Sequence, residues 1–272
     1  VIHPDPPVLL RALEGALVEW NAKRGNPHEG TDAKVHNSWA GWCEKKIAYS
    51  VQGSEEEDFT SNALWNFFLG SQAHDFLQQA ARNLWDAECE VHHIEENRSG
   101  HLDIGIVVPR SRLAIELKTT NGTAFKLAVE GEGPKREHKL QAFLNARDYD
   151  ADFAVVAYLA KESLSPRYAN PLFGKDHDPS RRFYAEWHFP RREYEALAQF
   201  EHHRLTWIAN NLESAQRFVP GMPVGAAINP KKGRWTLTLN DVTQTGRVWQ
   251  CDYCQHRPIC EKDYETEIAE QA

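Results

Sequence analysis

The stretch GHLDIGIVVPRSRLAIELKTT, residues 100–120, restricts most what this chain can become. Side chains of a strand alternate between faces, and both halves of the stretch follow that period. His101, Asp103 and Gly105 fall on one face, and Leu102, Ile104, Ile106 and Val108 on the other. Past Pro109 and Arg110, one face carries Arg112, Ala114, Glu116 and Lys118, and the opposite one Leu113, Ile115 and Leu117. Strands over 101–108 and 112–118, joined by a tight turn, bury their apolar faces together. The pairing sets Asp103 almost opposite Glu116, with a bulge at Pro109 as the alternative that shifts the register by one. Two carboxylates and an amine then meet on one polar face. Adjacent carboxylates repel, and a hard divalent cation, Mg2+ or Mn2+, neutralises them with oxygen ligands. The competing reading is a surface hairpin carrying a weak Glu116/Lys118 ion pair.

Periodicity elsewhere predicts an α/β chain without internal repeats. Helices are expected over 8–22, over 61–85 with Leu64, Phe67, Phe68, Phe76, Leu77 and Leu84 on buried faces, and over 191–217. Another starts at Gly133 and Pro134 and buries Leu140, Phe143 and Leu144. Further strands fall at 152–159 and 183–189, an exposed loop at 170–182, and a loop-rich segment towards the C-terminus. His74 then projects from the 61–85 helix, and Gln141 and Asn145 share a helical face with His138 one turn earlier.

A chain of 272 residues that is 41% hydrophobic supports one main domain with appendages. No run of about 18 apolar residues and no signal-peptide pattern occur, so a soluble, cytoplasmic protein without a membrane partner is expected. The net charge of −8 argues against coating nucleic acid through the overall field. Local basic groups remain: Lys135, Arg136 and Lys139; Arg181 and Arg182 with Arg191 and Arg192; Lys231, Lys232 and Arg234. Each is either a solvated face or a phosphate contact.

The cysteines are unevenly placed. WQCDYCQHRPIC holds Cys251, Cys254 and Cys260 in a C-x2-C-x5-C run whose short loops can turn three sulfurs towards one metal centre. Cys43, Cys89 and His256 are the candidates for a fourth ligand. Thiolates suit zinc or an iron-sulfur cluster and do not suit magnesium.

GHLD followed by IELK, with the helical GSQAHDF before them and the helical Gln141 after, resembles the PD-(D/E)xK nuclease superfamily and its RecB-like branch. Leu-Asp stands where the motif has Pro-Asp. One upstream cysteine with three near the C-terminus resembles the iron-sulfur subgroup, which includes CRISPR-associated RecB-like exonucleases and AddB-type nuclease domains. The resemblance spans residues 43–260. It implies a restriction-endonuclease-like α/β fold, with a central mixed sheet flanked by helices and a single RecB-like domain over 1–272. The nuclease core would cover about 60–190, and a metal cluster would join segments near 36–50 and 245–265. It also implies that Cys43, Cys251, Cys254 and Cys260 ligate a [4Fe-4S] cluster, with Zn2+ as the rival, leaving Cys89 free. His74, Asp103, Glu116 and the backbone carbonyl of Leu117 would bind catalytic Mg2+ or Mn2+, with Lys118 the catalytic lysine and Gln141 beside it. Lys135, Arg136, Lys139 and Asn145 are the substrate-binding candidates. The motif's Q-x3-Y helix reads QAFLN here, so Asn145 replaces the tyrosine and the grip on the substrate strand must differ.

The chemistry such a face supports is metal-assisted phosphodiester hydrolysis. The resemblance implies a DNA exonuclease acting on single strands or ends in recombination, repair, phage DNA processing or CRISPR adaptation. Its partners would be a helicase, recombination or CRISPR protein. No P-loop motif is present, so the chain is not itself that helicase. The alternatives are an endonuclease of the same superfamily and a non-catalytic nucleic-acid-binding module. In the latter, Trp249 and Tyr253 stack on bases, whereas otherwise they pack around the metal centre.

Overall fold

The structure is a computed structural model and describes residues 8–24, 35–54, 59–95, 97–220, 222–223, 226–239 and 242–271. In chain order the elements are α1 (Val8–Arg24), β1 (Val35–His36), α2 (Glu44–Val51), α3 (Ser61–Trp85), β2 (Glu88–Glu95), β3 (Arg98–Val108), β4 (Ser111–Thr120), α4 (Gly122–Leu127), α5 (Arg136–Asp148), β5 (Phe153–Ala160), α6 (Pro166–Phe173), β6 (Tyr184–Pro190), α7 (Arg191–Asn210), β7 (Ala227–Asn229), β8 (Arg234–Leu239), β9 (Val242–Arg247) and α8 (Arg257–Gln271). Local chemistry sets several boundaries. The Thr60 side chain accepts the Ala63 N–H and starts α3, while Asp86, left-handed at φ 52°, ends it. Asn121 caps α4 in the same way through Ala124 N–H.

The main sheet runs β1-β3-β4-β5-β6, with β2 also paired to β3. β3 and β4 form an antiparallel hairpin, whereas β4 and β5 run parallel and are joined by a crossover through α4 and α5. This mixed sheet flanked by helices is the restriction-endonuclease-like arrangement expected. On one face, α5 buries Ala142, Phe143 and Ala146 with Ala114, Val156 and Tyr158. On the other, α3 contributes Ala81 and Leu77 against Ile104, Ile106, Leu117 and Ala157. A second cluster packs Ile47 of α2 and Leu140 and Leu144 of α5 against Leu205 and Ile208 of α7. Among the described residues, no helix is long and apolar enough to cross a membrane.

Several expectations change. α7 ends at Asn210, not 217. The C-terminal part contains a three-stranded sheet and the helix α8 where loops were expected; β7 and β9 are short and show little apolar alternation, whereas the alternation of RWTLTL in β8 was a signal passed over. β2 was not anticipated, its polar ECEVHHIE being held by pairing to β3. Phe76 and Leu84 are 72% and 69% exposed. α3 turns only a narrow stripe to the sheet, so its apolar residues outnumber the positions that can be buried.

Candidate active site and cysteine centre

The β3–β4 ladder runs from Val108↔Ser111 to Ile104↔Ile115 with no bulge at Pro109, so the next facing positions are Asp103 and Glu116. There the strands open. Asp103 Oδ2 accepts the Leu117 N–H at 2.7 Å, and Gln78 Nε2 of α3 donates to the Asp103 carbonyl at 3.1 Å. The carboxylate has taken up a strand amide, which fixes its rotamer at the mouth of the hairpin. His74 Nδ1, also on α3, lies 3.6 Å from Asp103 Oδ1.

Glu116 is 1% exposed. Lys118 Nζ lies 2.6 Å from its Oε1, Asn145 Nδ2 donates to its Oε2 at 2.8 Å, and Gln141 Oε1 accepts from Lys118 at 3.0 Å. Burial, then the Asp103 charge, pushes the Glu116 carboxyl up from 4.5 to about 7, against the opposing pull of Lys118 and His74. Burial alone would depress Lys118, but the Glu116 and Asp103 charges outweigh it and hold the ammonium above its ordinary value. His74 is likewise opposed by burial and raised on balance by Asp103. His138, whose Nδ1 lies 2.7 Å from Tyr158 Oη, falls to about 2 through burial and the Lys118 and Lys135 charges. It is held neutral behind Lys118.

These groups line a cleft of about 1040 Å³ that brings together His74, Asp103, Glu116, Leu117, Lys118 and Gln141. The same cleft holds Gln78, Glu90 and His101. Of these, Gln78 and Glu90 were missed in the sequence, and His101 was placed on the Asp103 face without a site role. Glu90 adopts φ 58° inside β2, and the β2–β3 ladder passes from Cys89↔Ile104 to Val91↔Leu102 with no Glu90–Asp103 pair. The pleat breaks at this point. Leu102 packs in the α5 cluster, not with Ile104 and Ile106 as strict alternation required. Glu90 accepts from Gln78 and pairs with His101. The Glu90 contact, ahead of the opposing effect of burial, raises His101.

Asn145 is not where a substrate contact would be. It is 2% exposed, donates to the His101 carbonyl at 2.9 Å as well as to Glu116, and accepts from Asn37 Nδ2 at 2.8 Å. Its amide is fully committed within the protein and orients Glu116 from behind. Asn37 is fixed in turn by the buried Arg98, whose guanidinium also grips Asp148 at 2.6 Å. No local pattern marks this support, which joins residues more than 100 positions apart. Lys135 and Arg136 are exposed at the start of α5 and line a separate cavity of about 550 Å³ with Trp235, Arg247 and Val219. Lys139 is half-buried. Of the other basic groups, Arg191 is tied to Asp150 and Lys231 to Glu265.

Cys43 caps α2, Cys251 sits in a short 3-10 turn, Cys254 follows it, and Cys260 lies in the first turn of α8. Cys43 and Cys251 join one apolar cluster with Val219, Ile228 and Val248. Burial raises Cys43 to about 11, with Cys260 and Cys254 adding to it; burial raises Cys251 to about 12, with Cys43, Cys260 and Cys254 adding to it. The four thiols therefore share one electrostatic neighbourhood. Arg217 Nε donates to Cys260 Sγ at 3.2 Å. Cys89 is distant from this group, its thiol facing the Gln78 carbonyl. His256 is buried with Nε2 3.0 Å from Ser50 Oγ. Among the described residues, the one group of three His, Cys, Asp or Glu ligand atoms within 4.8 Å of one another is His93, Glu95 and Asp148, and there the Arg98 guanidinium already grips both carboxylates. Neither three of the four thiols nor the trio His74, Asp103 and Glu116 forms such a group among the described residues.

No protein-family model and no curated protein matches the sequence. Among solved structures, SSO0001 aligns with a TM-score of 0.53 and 14% identity, covering 93% of this chain and 96% of that one. The alkaline exonuclease LHK-Exo of Laribacter hongkongensis gives 0.45 and 14%, over 72% of this chain and 93% of that one. A phage-related exonuclease of Haemophilus somnus gives 0.43 and 15%, over 63% and 81%. At such identities the likeness concerns the fold alone.

Proposed function

We propose that the protein is a metal-dependent DNA nuclease, an exonuclease acting on single strands or ends. The observation that carries this reading is the convergence of Asp103, Glu116, Lys118 and His74 at the open mouth of one hairpin, inside a cleft large enough for a nucleotide strand. A buried carboxyl raised to about 7 beside a second carboxylate is costly, and a cation between them removes that cost. The donor set, two carboxylates with an imidazole and the Leu117 carbonyl, fits Mg2+ or Mn2+. Such an ion, when bound, would offset the phosphodiester's charge and activate water.

The remaining work falls to the chain. Asn145 and Asp103's bond to Leu117 N–H hold the two carboxylates in fixed rotamers. Lys118, kept protonated by Glu116 and Asp103 and aimed by Gln141, supplies a fixed positive charge for the extra negative charge of the transition state. An ammonium raised above its ordinary value favours this electrostatic role over that of a base. Lys135, Arg136 and Lys139 are proposed to meet backbone phosphates.

The four-cysteine group is proposed to hold a [4Fe-4S] cluster, supported by its all-thiol donor set, the shared electrostatic neighbourhood of the four thiols and the Arg217 bond to Cys260. It would join residue 43 to 251–260 and so close a loop of about 200 residues, worth several kcal/mol on a loop-entropy basis. An absorbance band near roughly 400 nm in anaerobically purified protein separates the cluster from zinc, which has none.

The decisive assay compares Mg2+- or Mn2+-dependent digestion of end-labelled linear single-stranded DNA with that of a closed single-stranded circle, using Asp103→Ala as control. Digestion of the linear strand alone, lost in the variant, supports the exonuclease. Cutting of the circle moves the reading to an endonuclease, and no metal-dependent cutting by protein with its cysteine centre intact overturns it.

A further inference from the structure

The cavity of about 550 Å³ at the start of α5 has two unlike halves. Val219, Met222, Trp235 and Val248 give it an apolar floor, and the same four residues pack in one cluster with Cys43 and Cys251. Lys135, Arg136 and Arg247 stand at its rim, with Glu137 the one acid among the described lining residues. Arg247 pairs with Asp252 at 2.6 Å, but its side chain is 73% exposed, and an exposed pair of this kind contributes little and yields to a phosphate. Trp235 is held by a local device. It faces Gly246 across the β8–β9 ladder, and a Cβ at Gly246 would collide with the indole nitrogen, so the ring rests on the glycine itself. Glycine weakens a strand, and here it provides a seat for the indole.

Two chain segments line both this cavity and the active cleft. Asn37 and Ser38 border the cleft, and Gly41 borders the cavity. On α5, Gln141 borders the cleft and Arg136 the cavity, about 7.5 Å apart along the axis at 1.5 Å per residue. Gly41 approaches α5 so closely that a Cβ there would lie 3.0 Å from Glu137 Cα, which makes the two segments one continuous wall. A strand lying along that wall reaches from the carboxylates into the cavity. On the reading of the cleft as a nuclease centre, we infer that the cavity holds one unpaired nucleotide of the substrate strand, a neighbour of the one being cut, with its base on Trp235 and its phosphate among Lys135, Arg136 and Arg247. The apolar floor and basic rim match the two halves of a nucleotide, an aromatic face and an anion beside it. A base stacked and paired in a duplex has no free face to offer, so the pocket selects single strands.

The test is direct binding of a short single-stranded DNA oligonucleotide, and of a strand of the same length without bases, to the full chain with its cysteine centre intact and no divalent metal added. Trp235→Leu should weaken binding of the intact strand about tenfold and leave the baseless strand unaffected. Trp235→Phe, which keeps an aromatic face, should restore most of the loss. Lys135→Gln combined with Arg136→Gln, two exposed positions, should reduce the slope of log affinity against log salt by about 1.4 for both strands, at about 0.7 per phosphate contact. Equal losses for the two strands in Trp235→Leu, or an unchanged salt slope in the double variant, would overturn the pocket. Free dAMP bound as tightly as the strand would overturn the strand as occupant in favour of a mononucleotide. Binding that depends on Trp235 in protein that cuts nothing with Mg2+ or Mn2+ would support the pocket while removing the nuclease reading, whereas normal cutting with binding indifferent to Trp235 would remove the pocket alone.

Discussion

Glu116 makes the stability of this protein depend on pH in an unusual direction. Its carboxyl rises from 4.5 to about 7 on folding, chiefly through burial and then through Asp103. The folded chain therefore binds a proton more tightly than the unfolded one. Stability from this group is full below about pH 4.5 and is lost as pH rises through about 7, a loss of about 3 kcal/mol at 1.36 kcal/mol per unit. That is a large share of the roughly 5–15 kcal/mol of a typical domain. Glu116→Gln removes the titration while keeping the shape. Urea unfolding of metal-free protein at pH 5 and pH 8 should show wild type losing about 2.5 kcal/mol more than the variant across that interval. Mn2+ added at pH 6 should expel close to one proton per chain from Glu116, read as a dependence of the binding heat on the buffer's ionisation enthalpy, and much less at pH 8.5. Equal pH slopes for wild type and Glu116→Gln would refute the account of Glu116 as a buried, neutralised carboxyl awaiting a cation.

Three further outcomes are expected. Lys118→Met should cut turnover by about 10²-fold or more and move the pH–rate profile to higher pH, since Glu116 loses the cation at 2.6 Å; a profile displaced to lower pH would contradict this. Asn145→Ala strips the donor from Glu116 Oε2 and from the His101 carbonyl and should lower unfolding free energy by about 2–4 kcal/mol in urea, against the few tenths expected of a surface contact. Gly105→Ala would set a Cβ 2.5 Å from the Tyr149 ring, so a loss of about 1–3 kcal/mol is expected by thermal unfolding, relieved when combined with Tyr149→Leu.

Residues 100–120 determined their own local structure. Alternation, the Pro109–Arg110 break and the opposed acids specify a hairpin whose register the structure reproduces, and Asp103 falls opposite Glu116 as that pattern required. The 61–85 helix was equally legible, since its 3.6-residue period and Thr60 cap are local signals. What the sequence could not determine is non-local. Asn145 stands as one polar residue on a helix face, and only the packing of α5 against β3 and β4 turns it from a substrate contact into the brace of Glu116. Glu90 sits in a strand with no turn signal, and its left-handed backbone follows from the opening of the ladder at Asp103, where hydrogen bonds from α3 and β4 replace strand pairing. Cys43 lies about 200 residues from its three fellows, a separation at which spacing carries no distance information. The fold alone brings the N-cap of α2 and the turn at 249–253 together, because Cys43 and Cys251 pack into one cluster with Val219, Ile228 and Val248.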